Sequence, residues 1–493
     1  MFGLPGPRLR DEDVRLFRET HAGGLILYRR NFESATQLVS LIGELEQALG
    51  RRLLIATDHE GGRVIMLGES VTVFPDNLSV GASGEALLAQ LQGRIEATEL
   101  RRFGVDLNLA PVLDVLTEAP SPVIGTRAYG KDPGVVARCG TARIRGMQTG
   151  GLSACAKHFP GIGHSPLDPH LRLPTIPSTW EEMRKVHLLP FVDAVEAGVH
   201  AIMTSHPVYP GLDPTPHTPA TFSLRIVQDC LRSELGFRGV IVSDDLEMGA
   251  IRELSGPGEA AVRAARAGHD LLLVCQTESG QRQAWRELLD AYRAKELPLS
   301  ELQACNERIQ RLKATRSVRF EGGPPQAEPN GRQLAKDMAA WAVTRLTPEP
   351  SGFRKRLNGR VAVVFPRLSE LHEWITIERD LLDEARYLSA GFAHYGVNPE
   401  IQVVGLEPGE AQVTRASELA AQADATILFL FDAHRFPSNK ALLDRLQTTA
   451  RALAVVLLRD PYDAKFLSPS VLGLTAFGFR CCQLEAVLAR LLS

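Results

Sequence analysis

Short apolar runs alternate with amphipathic helical stretches through the first two-thirds of the chain. Helical stretches such as DEDVRLFRETH and ATQLVSLIGELEQALG separate runs that are rich in aliphatic residues. The runs predict eight strands, at 2–4, 23–28, 52–58, 105–115, 153–159, 200–206, 239–245 and 270–276. Eight strands with eight crossovers predict an α/β fold, a (β/α)8 TIM barrel over residues 1–318.

The remaining third reads as a smaller unit. Residues 319–334 concentrate Gly, Pro and polar residues and predict a linker. Residues 335–493 predict an open α/β sandwich domain, with strands at 360–365, 401–406, 425–431 and 453–459. No G-x-G-x-x-G follows these strands, so a nucleotide-binding role has no support. The expected role of this domain is packing or dimerisation.

Composition narrows the class of protein. The 493 residues are 44% apolar and 23% charged, with a net charge of −3, which is typical of a globular protein without nucleic-acid partners. No apolar run reaches the ~18 residues that span a bilayer, so no membrane partner is expected. Seven scattered cysteines indicate neither a disulfide framework nor a CxxC metal pattern. The N-terminal residues lack the pattern of a signal peptide, and we expect a cytoplasmic protein. The oligomeric state is not readable from the chain.

Polar residues gather where the predicted barrel strands end, which is where barrel enzymes carry their chemistry. These ends read Asp58-His59-Glu60, Lys157-His158, Ser205-His206 and Ser243-Asp244-Asp245. Each has a structural interpretation: Asp245 as a helix N-cap, Glu60 as an acceptor for the following glycine turn, and His206 as a hydrogen-bonded core residue. Their convergence on one rim favours a functional site.

The loop KHFPGIGHSPLDPH is the most informative segment. Asp168 and His170 are two positions apart, so in an extended segment both side chains face the same way. A carboxylate beside an imidazole fixes its tautomer and raises its pKa, which suits a general acid/base. The equally weighted alternative is that Asp168 caps a turn and His170 is a surface residue.

A metal site is a second interpretation of the same region. His158, His164 and His170 recur every six residues, and Asp58 and Asp244 are possible further ligands. Prolines and glycines between the histidines break any shared helix or strand face, and no His-x-x-x-His pair is present. The sequence therefore favours a site without a metal or other cofactor.

Several motifs resemble glycoside hydrolase family 3, in particular its bacterial β-N-acetylglucosaminidase branch. They include ATDHEGGRV, LNLAPVLDV, SPVIGTRAYG, AKHFPGIGHSPLDPH, IMTSHPVYPGLD and LGFRGVIVSDDLEMGAI, and the match is nearly continuous over residues 1–320. KHFPG-x-G followed by D-x-H and the distant SDDL-x-M form a strong joint signal. After residue 335 only RQLAKDMAAWAVTRL resembles the helix that opens the family's second domain.

The resemblance implies a role for each matching residue. Asp244 matches the catalytic nucleophile, and His170 with Asp168 matches the His-Asp pair that is this branch's acid/base. The positions that match residues binding an N-acetylglucosamine ring are Asp58, Arg127, Lys157 and His158. The implied reaction is a two-step, retaining hydrolysis of a small carbohydrate, by analogy a cell-wall muropeptide fragment with a non-reducing N-acetylglucosamine.

Departures from the family pattern leave alternatives open. Ile162 stands where the family usually has a histidine, Pro169 replaces a serine, and Met66 occupies the position of a sugar-binding arginine. A lost guanidinium weakens or changes the grip on the sugar. The alternatives are another β-glycosidase, a glycoside phosphorylase of the same family, or a weakened sugar-binding or regulatory protein. A metal-dependent barrel hydrolase is the last of them.

Overall fold

A computed structural model describes residues 1–117, 120–165, 167–169, 172–315 and 325–493. These residues form two compact units. The first comprises residues 1–60, 65–72 and 84–331, and the second comprises 61–64, 73–83 and 332–493. Two short segments that follow the third strand therefore belong to the second unit, although they lie early in the chain.

Within the described residues, the first unit contains an eight-stranded parallel sheet whose strands neighbour one another in chain order. They are β1 (Phe2–Gly3), β2 (Gly24–Leu27), β3 (Leu54–Thr57), β4 (Leu107–Asn108), β5 (Ser153–Phe159), β6 (Ala201–Thr204), β7 (Val240–Asp245) and β8 (Leu271–Leu273). Phe2 also forms a parallel bridge with Val274, just after β8, which closes the sheet into a barrel. The predicted TIM barrel and its eight strands are confirmed.

Helices connect the strands and begin where the sequence supplies caps. Ser34 accepts a hydrogen bond from the Gln37 amide at the start of α2, and Asp132 caps α5 in the same way. The helices up to residue 314 are α1 (Asp11–Thr20), α2 (Ala35–Leu49), α3 (Asn77–Ser83), α4 (Ala86–Arg102), α5 (Pro133–Thr149), α6 (Trp180–Glu182), α7 (Leu189–Glu196), α8 (Gly249–Arg252), α9 (Pro257–Ala267), α10 (Glu278–Arg293) and α11 (Leu299–Ala314). Two further segments, Met183–His187 and Arg225–Glu234, are π-helical.

The barrel interior is filled by apolar side chains rather than open. The buried cluster inside it includes Ile26, Ala56, Leu107, Cys155, Met203, Val242 and Leu273. Because this core is closed, polar side chains that follow the strands are left at the barrel's carboxyl rim.

The second unit is a six-stranded sheet in the order β11-β10-β12-β13-β14-β9, parallel except for β9. Its strands are β9 (Thr344–Arg345), β10 (Val361–Pro366), β11 (Glu400–Val404), β12 (Ala425–Leu430), β13 (Leu453–Leu457) and β14 (Leu472–Thr475). Its remaining helices are α12 (Pro329–Ala342), α13 (Phe353–Arg356), α14 (Glu384–Ala393), α15 (Glu410–Gln422), α16 (Pro437–Thr449) and α17 (Cys481–Leu492). One buried cluster packs α14 and α17 against the sheet, and another packs α15 and α16. Both faces are thus covered, as predicted for an α/β sandwich.

Sequence patterns missed two strands of this sheet. β14 is a four-residue strand inside a longer apolar run, and β9 has only two residues directly after a helix. Helix α12 begins at Pro329, inside the predicted linker 319–334, because proline suits the first turn of a helix. Residues 316–324 are not described, so the division into 1–318, 319–334 and 335–493 stays a prediction.

Within the described ranges, no helix is both long enough and apolar enough to cross a bilayer.

Candidate active site

The end of β3 forms the centre of a buried charge network. Lys157, at the end of β5, places its Nζ 2.5 Å from Asp58 Oδ1 and 2.7 Å from Glu60 Oε1. Arg127, in a 3-10 turn after β4, binds Glu60 through two parallel hydrogen bonds of 2.8 Å. A guanidinium and a carboxylate in this geometry fix each other's orientation. These ion pairs thereby join the end of β3, the segment after β4 and the end of β5.

Charges in this network stay ionised despite burial. Burial opposes ionisation of Glu60, but Arg127 and Lys157 outweigh it and hold the pKa of Glu60 well below its ordinary value. Burial likewise opposes the charge of Lys157, and Asp58 and Glu60 outweigh it, so its pKa is raised. Asp58 keeps 18% of its side chain exposed, whereas Glu60 keeps 1%. Asp58 is thus the carboxylate of the pair that can meet a ligand.

His158 is oriented by a carboxylate that sequence patterns did not single out. Its Nδ1 lies 2.7 Å from Oδ2 of Asp114, a fully buried residue near the end of the β4 region. The same carboxylate accepts the Ile162 amide at 2.7 Å. Nδ1 therefore carries the proton, and Nε2 faces Arg127 Nη2 at 3.5 Å. Asp114 couples this ring to the start of the following loop.

Asp244 lies at the end of β7 and is half-buried. Its neighbour Asp245 is turned away into the protein, as alternation along a strand requires. Asp245 accepts hydrogen bonds from the amides of Glu247 and Cys275 and from the Gln276 side chain. Burial raises the pKa of Asp245 to about 6. Asp245 was expected to cap a helix, but α8 begins four residues later, and it ties β7 to β8 instead.

The loop after β5 is docked against the chain that follows β7. The Pro169 carbonyl accepts the Ala250 amide of α8 at 3.1 Å, and Glu253 accepts the Leu173 amide. Asp168 is half-buried in this loop, and its carbonyl accepts the Arg172 amide. The predicted partner His170 lies outside the described residues. The loop that carries Asp168 is thus fixed to the helix that begins five residues after Asp244.

The sequence of residues 2–312 matches the model of the glycosyl hydrolase family 3 N-terminal domain. This match covers well over half of the chain. The chain belongs to glycosyl hydrolase family 3. It is a glycoside hydrolase.

Relatives within family 3 resemble both parts of the molecule. A β-hexosaminidase of Thiobacillus denitrificans is 40% identical over 56% of this chain and 77% of its own length. One from Idiomarina loihiensis is 36% identical over 65% of this chain and 94% of its own. The structure of a family 3 β-N-acetylglucosaminidase from Paenibacillus sp. FPU-7 superposes with a TM-score of 0.92 at 33% identity, covering 100% of this chain and 94% of that one.

A further solved relative covers a smaller share of this chain. The structure of NagZ from Neisseria gonorrhoeae, in complex with N-trifluoroacetyl-D-glucosamine, superposes with a TM-score of 0.59 at 32% identity. It covers 69% of this chain, and 97% of its own chain is matched.

Three of the residues proposed for a metal site take other partners. His158 binds Asp114, His164 stacks on His187, and Asp58 forms an ion pair with Lys157. Over the described part of the chain, which omits His170, no group of three His, Cys, Asp or Glu side chains is arranged to hold a metal ion.

Other expectations for the rim need correction or addition. Glu60 was expected to accept from the following glycine turn, but its carboxylate is occupied by Arg127 and Lys157, because two buried cations attract it more strongly than amides. His206 bonds Thr221 and the Asp245 carbonyl, as expected of a structural histidine. Asp114 was missed because it lies inside an apolar run, and a carboxylate at a strand end was the signal that could have identified it.

Proposed function

We propose that the protein is a retaining exo-β-N-acetylglucosaminidase that releases terminal N-acetylglucosamine from the non-reducing end of its substrate. The observation that carries the proposal is the buried network of Asp58, Lys157, Glu60 and Arg127. It lies on the barrel rim where β7 ends with Asp244 and Asp245. Fixed carboxylates and cations of this kind suit recognition of several sugar hydroxyls. The full-length similarity to a β-N-acetylglucosaminidase supports the choice of sugar.

Asp244 is proposed as the nucleophile. Its carboxylate attacks the anomeric carbon, and the bond to the leaving oxygen breaks as that oxygen takes a proton from His170. A water molecule then attacks the glycosyl-enzyme, gives its proton to His170, and frees Asp244. Two inversions give net retention. Asp168 orients the imidazole.

Sugar binding is assigned to Asp58, Lys157, Arg127 and His158. Asp58 accepts from a hydroxyl, and Lys157 and Arg127 donate to neighbouring ones. His158 accepts through Nε2, since its Nδ1–H is held by Asp114. Because these groups are already oriented before substrate arrives, little ordering remains to be done on binding.

The proposed substrate is a muropeptide fragment in the cytoplasm. All seven cysteines are free thiols, five of them buried, which fits a reducing compartment. Met66 is half-buried at the position where the family pattern has an arginine, so the natural aglycone or acyl group is the least constrained part of the proposal.

Hydrolysis of 4-nitrophenyl β-N-acetylglucosaminide is the test, run against the β-glucoside with and without phosphate. We expect selective release from the N-acetyl sugar, unaffected by phosphate. Phosphorolysis is the second candidate, because an imidazole in place of a carboxyl acid/base removes a negative charge that would repel phosphate. A phosphate-dependent rise with a sugar-phosphate product would replace hydrolysis by phosphorolysis.

Asp244→Asn should abolish turnover of every substrate, because the amide cannot form the glycosyl ester. Glu259→Gln is the matched control, since Glu259 is 60% exposed on α9 and pairs only with Arg263 among its described neighbours. A near-normal rate in Asp244→Asn would refute the nucleophile. No release by the native protein from either glycoside would favour a non-catalytic sugar-binding role.

His170→Ala tests the acid/base. Activity should fall most for substrates with poor leaving groups, because these need the proton, and least for activated aryl glycosides. Asp168→Asn should show the same selectivity to a smaller extent. Equal losses on both kinds of substrate would argue against this pair as the acid/base.

A further inference from the structure

Two imidazoles stack where the loop that carries Asp168 contacts a neighbouring helical segment. The ring of His164 lies on the ring of His187, with centroids 3.8 Å apart and planes 16° from parallel. His187 ends the π-helical segment Met183–His187 and is 4% exposed. Neither ring is used in the mechanism above. The stack is the contact between the middle of this loop and that segment.

The loop passes close to its neighbours at two glycines. A Cβ on Gly161, whose φ is +120°, would lie 2.9 Å from the His187 Cβ. A Cβ on Gly163 would lie 2.0 Å from the Val115 carbonyl oxygen. Tyr209 donates to the Gly161 carbonyl at 2.9 Å. The loop is therefore packed closely against two neighbouring segments, one of which carries His187.

The stack is built for neutral rings. His164 Nε2 pairs with Ser178 Oγ at 2.8 Å, whereas the Nδ1 atoms of both rings are buried and have no hydrogen-bond partner among the described residues. An added proton would therefore find no acceptor at Nδ1. A second proton would place two cations face to face. The unpaired proton and the repulsion between the two cations both raise the free energy of the packed loop, but not that of an unpacked loop.

Charged groups around the pair do not reverse this preference. Burial is the largest influence and lowers the pKa of both imidazoles, that of His187 to about 3. Asp114 and Glu182 act in the opposite direction. Asp114 is already bound to His158 and the Ile162 amide, and Glu182 is bound to Thr179 at the surface. The adjacent Arg184 and Lys185 side chains are exposed.

We propose that His164 and His187 are positioning residues, which hold the loop and Asp168 in place only while both imidazoles are neutral. This rests on the proposed function, in which Asp168 orients the acid/base. An unpacked loop takes protons below pH ~6.5, and the packed loop does not. The ratio of packed to unpacked loop therefore falls by up to about tenfold per pH unit for each imidazole.

The test compares pH profiles of the native protein, His187→Phe and the double variant His164→Gln/His187→Phe. Phenylalanine keeps a flat ring for stacking but cannot take a proton. For each protein, the rate on a poor leaving group (methyl β-N-acetylglucosaminide) is divided by the rate on the 4-nitrophenyl glycoside and normalised to pH 7.5. We expect this ratio to fall at least tenfold by pH 5 in the native protein, less steeply in His187→Phe, which keeps one imidazole, and less than threefold in the double variant. Identical profiles would overturn the proposal.

Failure of this inference is separable from failure of the proposed function. If His170→Ala shows no leaving-group selectivity at any pH, the acid/base assignment fails. If it shows the selectivity while His187→Phe keeps the native profile, the positioning role alone fails. A structural role without titration would lower all rates equally and leave the normalised profile unchanged.

Imidazole ¹⁵N spectra of the native protein give a second measurement that needs no variant to be active. His164→Gln and His187→Phe serve only to assign the signals. Both rings should remain mainly neutral at pH 6, where free histidine in the same buffer is mainly charged. Titration of either ring near pH 6.5 would overturn the proposal.

Discussion

Both units carry charged side chains at the carboxyl ends of parallel strands, but the charges are arranged differently. In the barrel, the buried carboxylate of Glu60 lies between two cations, Lys157 and Arg127. In the second unit, Asp432 follows β12 and accepts from Arg459 Nη1 at 2.6 Å. Arg459 also lies 3.9 Å from the buried Asp460. Glu60 thus lies between two buried cations, whereas Asp432 and Asp460 share the buried Arg459, and the second cation near Asp432 is the exposed Arg435, at 4.0 Å.

The two arrangements have opposite electrostatic results. Arg127 and Lys157 overcome burial and keep Glu60 ionised, whereas burial raises the pKa of Asp432 in spite of Arg459. Asp463 in the second unit accepts from the amides of Ala433 and His434 and lies 2.8 Å from the His434 Nδ1. Polar strand ends alone therefore do not mark a functional site. A pair of buried cations that fixes a partly exposed carboxylate such as Asp58 is the better sign.

Glu60→Gln should have the largest effect of any change in the network. The variant leaves Lys157 and Arg127 buried with one carboxylate fewer, which costs about 3–5 kcal/mol of unfolding free energy. Because these cations and Asp58 lose their alignment, kcat/KM on the aryl N-acetylglucosaminide should fall by about 100-fold. Urea unfolding and steady-state kinetics measure the two effects.

Glu259→Gln on α9 is again the control, and its free energy of unfolding should change by less than about 0.5 kcal/mol. If Glu60→Gln kept native kcat/KM, the network would be a purely structural feature of the barrel, and the distinction between the two units would disappear.

Arg143→Met should have the next largest effect, because Arg143 holds the backbone of the segment that carries Glu60. Arg143 is fully buried on α5, pairs with Glu96 on α4, and donates to the carbonyls of His59 and Glu60 at 3.1 and 2.8 Å. We expect a loss of about 3 kcal/mol in stability and about tenfold in kcat/KM. In a double-mutant cycle, Glu96→Ala should cost much less in the Arg143→Met background than alone. Strict additivity would show that the pair does not act as a unit.

Asp432→Asn in the second unit should be milder. Burial already favours the neutral form of this carboxyl, so an amide of the same shape replaces it with a loss of about 1–2 kcal/mol, mostly from the weakened bond to Arg459. We expect kcat/KM to stay within twofold of the native value. A tenfold fall in kcat/KM would show that the charges of the second unit matter for catalysis as those of the barrel do.

Sequence patterns located the strand ends better than the contacts between them. Asp58, Lys157 and Asp244 follow apolar runs and were identifiable as rim residues, and family resemblance supplied their proposed roles. The partners of Glu60 and the pairing of Arg143 with Glu96 were not identifiable. The latter two lie 47 positions apart inside two helices, and no periodicity relates them. Such pairs depend on how helices pack around the barrel, which local patterns do not encode.

The smallest effect we predict is a pair of opposite pH slopes. Glu60 has a lowered pKa, so it contributes stability that is present above its unfolded pKa of about 4.3 and is lost as pH falls below that value. The deficit of Glu60→Gln relative to the native protein should therefore shrink between pH 5 and pH 3. Asp432 has a raised pKa, so the native protein gains relative to Asp432→Asn as pH falls through the same range. That deficit should grow, by at most about 1.4 kcal/mol per pH unit. Parallel slopes in urea unfolding of the two variants would contradict the electrostatic contrast between the two units.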